Sequence, residues 1–458
     1  MEPMKFLVLL VLSIAQMLFI IQHWDVPFHI FSICCFLTFL IYEFKLSRPS
    51  SPVYLVDFAC LKPPSFCRIS SPAYLEHVRL FDFLDKPSVA FIDKVLTHSG
   101  QGEQTYLPPS LHYIPPKSGL EDALDEVHLV LFPIFEDLLS RAKLCPKDID
   151  ILIVNCSGFC PVPSLSSIII NKFSMREDVK SFNLTGMGCS ASALAIDMAQ
   201  NILKTHRNSN AVILSTEVLS TGWYPGKDRP MMVLNCLFRM GGAAILLTNR
   251  IQAKWESKYK LIMTQRTQRA FEDKGYYSAI REEDSSGITG FTLRRDLLQV
   301  AGDTLRSNIA ILGANILPVT EQIWYAVSIF RKKFVDKSTE VYVPDFKSVI
   351  QHFCLPTSGK PVIKEISKGL KLGEVDMEPA LMTLHRFGNQ SSSSLWYELA
   401  YMEAKGRIKK GDKVWMLGMG SGPKCISLVL ECCRPIFGEA SRGPWADTIE
   451  EYPITPQS

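Results

Sequence analysis

The sequence predicts a layered α/β body behind an amino-terminal membrane hairpin. Three observations predict it. Short runs rich in Val, Ile and Leu alternate with longer amphipathic stretches, and two long apolar runs open the chain. Twice, from Gly186 and from Gly388, a glycine-containing turn leads through small residues into a helical stretch, a hint of internal duplication.

Composition sets the outer bounds. A chain of 458 residues holds one large domain or two medium ones. With 47% hydrophobic and 21% charged residues, it reads as an ordinary globular body with extra apolar sequence added. A net charge of +3 with no long basic run argues against nucleic acid as a partner. The 13 cysteines are odd in number and irregular in spacing, so neither a paired disulfide framework nor a zinc site is visible. The adjacent pairs Cys34-Cys35 and Cys432-Cys433 read as apolar packing in a reducing, cytosol-facing protein.

The first run, Phe6 to Ile21, is interrupted only by Ser13 and Gln16, and Val26 to Tyr42 carries no Asp, Glu, Lys or Arg. Each is near the lower limit of the ~17–25 residues that cross a bilayer as a helix. A cleaved signal peptide and burial in a soluble core are the competing readings. Against the first stand the missing small-residue cleavage site and the second run that follows at once. The connection Gln22 to Asp25 has no Lys or Arg, whereas Lys5, Lys45 and Arg48 flank the pair. Positive-inside bias then puts both ends of the hairpin, and the body, in the cytosol.

In the body, strands are expected at Ile149 to Cys156, Ala211 to Thr216, Ala243 to Thr248, Tyr259 to Thr264, Glu340 to Val343 and Lys413 to Leu417. Helices are expected at Leu120 to Ala142, Ala191 to Lys204, Leu297 to Leu312, Glu321 to Phe334 and Ser393 to Arg407. From Arg434 onward, Pro, Gly and acidic residues suggest a solvated tail.

The segment SFNLTGMGCSASALAIDMAQ, from Ser181, carries the strongest chemical signal. A strand-like run meets two glycines, and Cys189 falls where a helix begins. Unpaired N–H groups and the positive dipole end there are expected to lower the thiol pKa. The glycines let the backbone approach a carbonyl closely, and nearby N–H groups can form an oxyanion hole. A structural cysteine in a buried turn is the competing reading.

The string NLTGMGCSAS resembles the nucleophile segment of plant-type membrane-bound 3-ketoacyl-CoA synthases. The similarity continues through PVYLVDFACLKPP from Pro52, SGQGEQTYLPP from Ser99, DIDILIVNCSGFCPVPSLSS from Asp148 and NCLFRMGGAAILLTN from Asn235. It extends to RFGNQSSSSLWYELAYMEAKGRIKKGDKVW from Arg386 and GMGSGPKC from Gly418. The resemblance implies a thiolase-like duplicated five-layer fold: a transmembrane hairpin over 1–48, halves over 49–255 and 256–433, and a tail over 434–458. It implies condensation of a long-chain acyl-CoA with malonyl-CoA in very-long-chain fatty acid elongation, at the endoplasmic reticulum membrane and without a cofactor or metal. The implied partners are a second synthase, as homo- or heterodimer, and the elongase reductase and dehydratase.

By the same resemblance Cys189 matches the nucleophile and Asn389 an asparagine that holds the thioester carbonyl of malonyl-CoA. His352 and His385 match further functional histidines. Two positions depart. Arg266-Thr267-Gln268 stands where the family reads Arg-Thr-His, and Pro356 stands at the histidine that shares enolate stabilisation with the asparagine. Proline has neither a side-chain donor nor an N–H. Gln390 and Pro423 depart beside the same site. Besides a working synthase, two readings follow: a weak or inactive homologue that regulates active synthases by association, and an acyl-transfer protein that loads Cys189 without condensing.

Overall fold

The computed structural model describes residues 11–16, 18–19, 31–39, 52–336, 338 and 340–454. They fall into two compact units, 1–52 and 53–458. In the first, residues 11–16 and 31–39 are helical with mostly exposed side chains. Gln16 Nε2 donates to Ser32 Oγ at 2.6 Å, which puts the two apolar runs side by side. Among the described residues no helix is long and apolar enough to cross a membrane, and much of both runs lies outside those residues.

The second unit is built on one mixed sheet. Its strands are β1 (Tyr54–Cys60), β2 (Ile151–Asn155), β3 (Lys180–Leu184), β4 (Asn210–Thr216), β5 (Gly242–Thr248), β6 (Tyr259–Gln268), β7 (His352–Cys354), β8 (Lys413–Gly420) and β9 (Lys424–Cys432). They lie in the order β7-β8-β9-β6-β1-β5-β4-β2-β3. Outward from the β1–β6 junction the pairing repeats. β1–β5 and β5–β4 are antiparallel and β4–β2 parallel; β6–β9 and β9–β8 are antiparallel and β8–β7 parallel. β2, β4 and β5 are buried along their whole length, as continuous aliphatic runs require.

Helices complete the layers. α1 (Leu120–Ala142) covers β1, β4 and β5, and α3 (Leu297–Ile316) covers β6 and β9. Between them α2 (Ala191–Thr205) touches β2 and β4 of one set and β8 and β9 of the other; α4 (Val319–Phe334) follows α3, and α5 (Ser394–Ala404) touches β1, β7 and β8. α1 buries Ala123, Val127, Val130, Ile134 and Leu138, a helical stripe, and Asp122 accepts from the Gly119 N–H at 3.1 Å to close its first turn. α5 is buried at every residue from Ser394 to Glu403, so the second glycine turn runs into a central helix like the first.

Two expectations are overturned. Residues 340–343 are not a strand: Pro344 follows with no N–H to donate, and the segment is held by side chains instead, Tyr342 OH and the Asp345 N–H each donating to Glu321 Oε2 at 2.9 Å. Nor is the tail solvated. Trp445 is fully buried and donates from Nε1 to the Tyr397 carbonyl at 2.9 Å, with Ile449 and Tyr452 packed beside it. Glu439 enters a buried ion cluster in which Lys258 Nζ meets Asp57 and Glu403 at 2.8 Å and Glu439 at 2.9 Å. The aromatic residues, rather than the Pro, Gly and acidic content, decide the fate of this segment.

Candidate active site

Cys189 sits in a tight turn, Gly188–Ser190, that runs directly into α2. Gly186 and Gly188 take φ of 68° and 58°, conformations that favour glycine. The loop Gly418–Gly422 presses on this turn: a Cβ at Gly188 would meet the Ser421 backbone nitrogen at 2.6 Å, and Ser421 Oγ donates to the Gly186 carbonyl at 3.3 Å. The turn is therefore clamped between the two sets of strands.

The other arm comes from the second glycine turn. Gly388 takes φ 74°, and Asn389 follows, 3% exposed and fixed by backbone bonds with Leu237 and Arg239. Its Oδ1 accepts from the Ser391 N–H at 2.8 Å and from Thr357 Oγ1 at 3.5 Å. Both bonds fall on the carbonyl end, so among the described residues Nδ2 makes none and remains a donor.

Ser391, itself at φ 56°, bridges the arms. Its Oγ donates to Glu217 Oε2 at 3.1 Å and lies 3.5 Å from Cys189 Sγ. A hydroxyl has one proton, so Ser391 donates either to Glu217 or to the Cys189 sulfur, not to both at once. Glu217 follows β4; its Oε1 accepts from the Ser157 and Gly158 N–H groups at 3.0 and 2.7 Å. Burial raises its carboxyl above the ordinary range, opposed by those N–H groups and by Ser391. The expected low thiol pKa is not found. Burial pushes Cys189 up to about 11, the Ser391 bond works against that, and the Glu217 carboxylate adds to the rise. Desolvation outweighs the helix terminus here.

Cys189 and Asn389 are thus brought together, with Pro356 and Thr357 on the adjoining loop. His352 lies elsewhere in the bonding pattern: its Nε2 pairs with Asp412 Oδ2 at 3.0 Å at the start of β8. His385, in the last turn of a helix ending at Phe387, bonds Tyr452 OH through Nδ1 at 3.0 Å and packs against Gly102. Burial, then the Arg386 charge, lowers its pKa. Gln268 is exposed at the end of β6, opposite Lys424. Sequence reasoning missed Glu217 and Ser391. The signal for Glu217 was a lone acid directly after the apolar run AVILST, where strand ends meet a site.

A cavity of about 740 Å³ is lined by Phe91, Val95, Leu237 and Val362 and, among polar groups, Lys94, His98 and Arg229; Cys189, Glu217, Asn389 and Ser391 are not in its wall. Ser358 and Gly359 of its wall follow Pro356 and Thr357, and the Leu237 carbonyl accepts the Asn389 N–H.

Solved structures define the fold. The chain superposes on the bacterial type III polyketide synthase 1,3,6,8-tetrahydroxynaphthalene synthase of Streptomyces coelicolor A3(2) with TM-score 0.63 at 18% identity, covering 83% of this chain and 99% of that one. A fungal type III polyketide synthase, ORAS, gives TM-score 0.64 at 14% identity, over 83% and 99%. The fold is therefore the thiolase-like fold of type III polyketide synthases. Residues 44–334 match the FAE1/type III polyketide synthase-like protein family, and residues 347–432 match the carboxy-terminal domain of 3-oxoacyl-[acyl-carrier-protein] synthase III. Among curated relatives, 3-ketoacyl-CoA synthase 5 of Arabidopsis thaliana is 47% identical over 93% of this chain and 86% of its own length. Arabidopsis 3-ketoacyl-CoA synthase 6 is 45% identical over 95% and 88%. The chain belongs to the 3-ketoacyl-CoA synthase family of condensing acyltransferases.

Proposed function

We propose that the chain condenses a long-chain acyl-CoA with malonyl-CoA to a 3-ketoacyl-CoA, an elongation step toward very-long-chain fatty acids. The carrying observation is the bond chain Cys189–Ser391–Glu217 set beside an Asn389 amide whose donor end is free. In the first half-reaction Sγ bonds the acyl carbon and the thioester bond to CoA breaks. The thiol proton passes through Ser391 Oγ to Glu217, whose burial favours the protonated carboxyl, and CoA leaves as a thiolate that takes a proton from solvent. In the second, the malonyl C–CO2 bond breaks and its electron pair becomes an enolate whose oxygen accepts from Asn389 Nδ2. That carbon attacks the acyl-cysteine, the C–S bond breaks, and the released thiolate takes back the proton held on Glu217 through Ser391. Lys94, His98 and Arg229 suit the cavity to the phosphates of CoA, and its apolar wall to an acyl chain.

The paired apolar runs, their Gln16–Ser32 bond and the flanking Lys5, Lys45 and Arg48 support an anchor in the endoplasmic reticulum membrane, with the body in the cytosol. Pairing with a second synthase, and supply to a reductase and a dehydratase, follow from the same reading. Pro356 favours a second one, in which the chain loads Cys189 but condenses slowly and modulates active partners. Labelled malonyl-CoA decides between them. Release of CO2 and 3-ketoacyl-CoA that depends on Cys189 and on long-chain acyl-CoA supports condensation. An acyl-Cys189 thioester without either product supports the second.

A further inference from the structure

The helix Val319–Phe334 is attached to the body by one side only. Its first turn is fixed by Glu321, which receives Tyr342 OH and the Asp345 N–H, and by Gln322 Nε2, which donates to the Leu317 carbonyl at 2.9 Å. Beyond that its single buried residue is Ser328. At 100° per residue, Val319, Ile323, Val327, Phe330 and Phe334 form one stripe on the side away from Ser328, about 22 Å long at 1.5 Å per residue. Ile323 is 55% exposed, Phe330 58% and Phe334 66%. Scattered apolar residues on a surface need no explanation; a continuous apolar stripe does.

Charge indicates what covers it. Arg331 and Lys333 fall on opposite flanks of the stripe, and with Lys332 they form no ion pair to a described residue. No Asp or Glu occupies either flank, and the helix's one acid, Glu321, is turned inward and already engaged. A second copy laid against this stripe would bring basic flanks together with no carboxylate to meet them. A bilayer surface supplies what is missing: phosphates at the level of the cations and acyl chains beneath the rings.

We propose that the helix Val319–Phe334 lies in the plane of an anionic membrane surface, its Val319 to Phe334 stripe in the headgroup–acyl boundary. This contact goes beyond the amino-terminal anchor and does not depend on whether that anchor spans. It would fix the orientation of the body as well as its distance from the bilayer.

The test uses the full chain in vesicles of equimolar phosphatidylcholine and phosphatidylserine, with the photo-crosslinking analogue p-benzoylphenylalanine replacing Phe330. Phe66, 65% exposed on another element, is the control position. The expected result is a phospholipid adduct at 330 well above that at 66, reduced about fivefold by Lys333→Glu or by phosphatidylcholine alone. Crosslinks from 330 to a second copy of the chain would overturn the proposal, as would equal adducts at 330 and 66 or indifference to both changes. Alkaline carbonate extraction of the same vesicles reports on the hairpin alone, so failure of the anchor and failure of this contact are read separately.

Discussion

Glu217→Gln separates two roles of one carboxylate that act in opposite directions on Cys189. As a charge, Glu217 holds the thiol proton on, through two bonds of 3.1 and 3.5 Å. A unit charge about 6 Å away contributes up to about 3 kcal/mol at an effective dielectric near 20, roughly two pH units. As a base, the same carboxylate takes the thiol proton when an acyl-CoA reacts, a contribution of about 10²–10⁴ in rate. Glutamine keeps an oxygen for the Ser157 and Gly158 N–H groups, so the loop after β2 should hold. Iodoacetamide alkylation of Cys189 needs only thiolate. Its pH profile should rise through about 11 in the parent protein and move to lower pH in the variant. Acylation by a long-chain acyl-CoA at neutral pH, followed by intact mass, should instead fall by on the order of 100-fold. If acylation and alkylation move in the same direction, or acylation is unchanged, Glu217 is not the proton acceptor.

Further outcomes can be stated from single contacts. Pro356→His should raise malonyl-CoA decarboxylation, by up to about 10²–10³ if the ring reaches the enolate, measured as released CO2. Gln268→His should leave it nearly unchanged, because that side chain is exposed at the end of β6. Gly188→Ala should lower both the unfolding midpoint and Cys189 acylation, since its Cβ would collide with the Ser421 backbone and φ 58° disfavours a side chain. Trp445→Ala should cost about 3–5 kcal/mol in urea unfolding, because a fully buried ring and its bond to Tyr397 are removed together. A solvated tail would show no loss.

Periodicity carried the sequence-to-fold inference wherever one contact layer decides an element. Leu120–Ala142 is a helix over the residues its stripe predicts, and the run at Ala211 to Thr216 is a strand buried on both faces. Inference from pattern failed where partners are distant. β7 is three residues long and exists because β8 lies parallel to it. β9 is a different case: its apolar run CISLVL resembles those of the other strands and was passed over. At the site, Cys189 was legible from its glycine turn. Glu217 and Ser391 were not, because residues 174 positions apart meet only after both sets of strands fold. The thiol pKa was misjudged for a related reason: a helix terminus is local and visible in sequence, whereas desolvation is a property of the assembled core.

In the proposed mechanism acylation and condensation make separate demands on this site and draw on separate groups. Acyl transfer needs a proton acceptor for Sγ, and that path, Ser391 to Glu217, involves no histidine. Condensation needs a donor at the enolate oxygen, and Asn389 presents one that Thr357 and the Ser391 N–H orient from behind. Pro356 sits on the same loop as Thr357, one residue after Leu355, whose N–H is held by the buried Glu398 carboxyl at 2.8 Å. Burial keeps that carboxyl's pKa well above the ordinary range. The loop is thus anchored on both sides of the proline, and Thr357 still reaches Asn389. Proline at 356 therefore offers no donor, while the loop around it stays held in place. The proposed mechanism therefore predicts a graded effect of Pro356 on condensation and none on acyl loading, which is why the two half-reactions have to be measured apart.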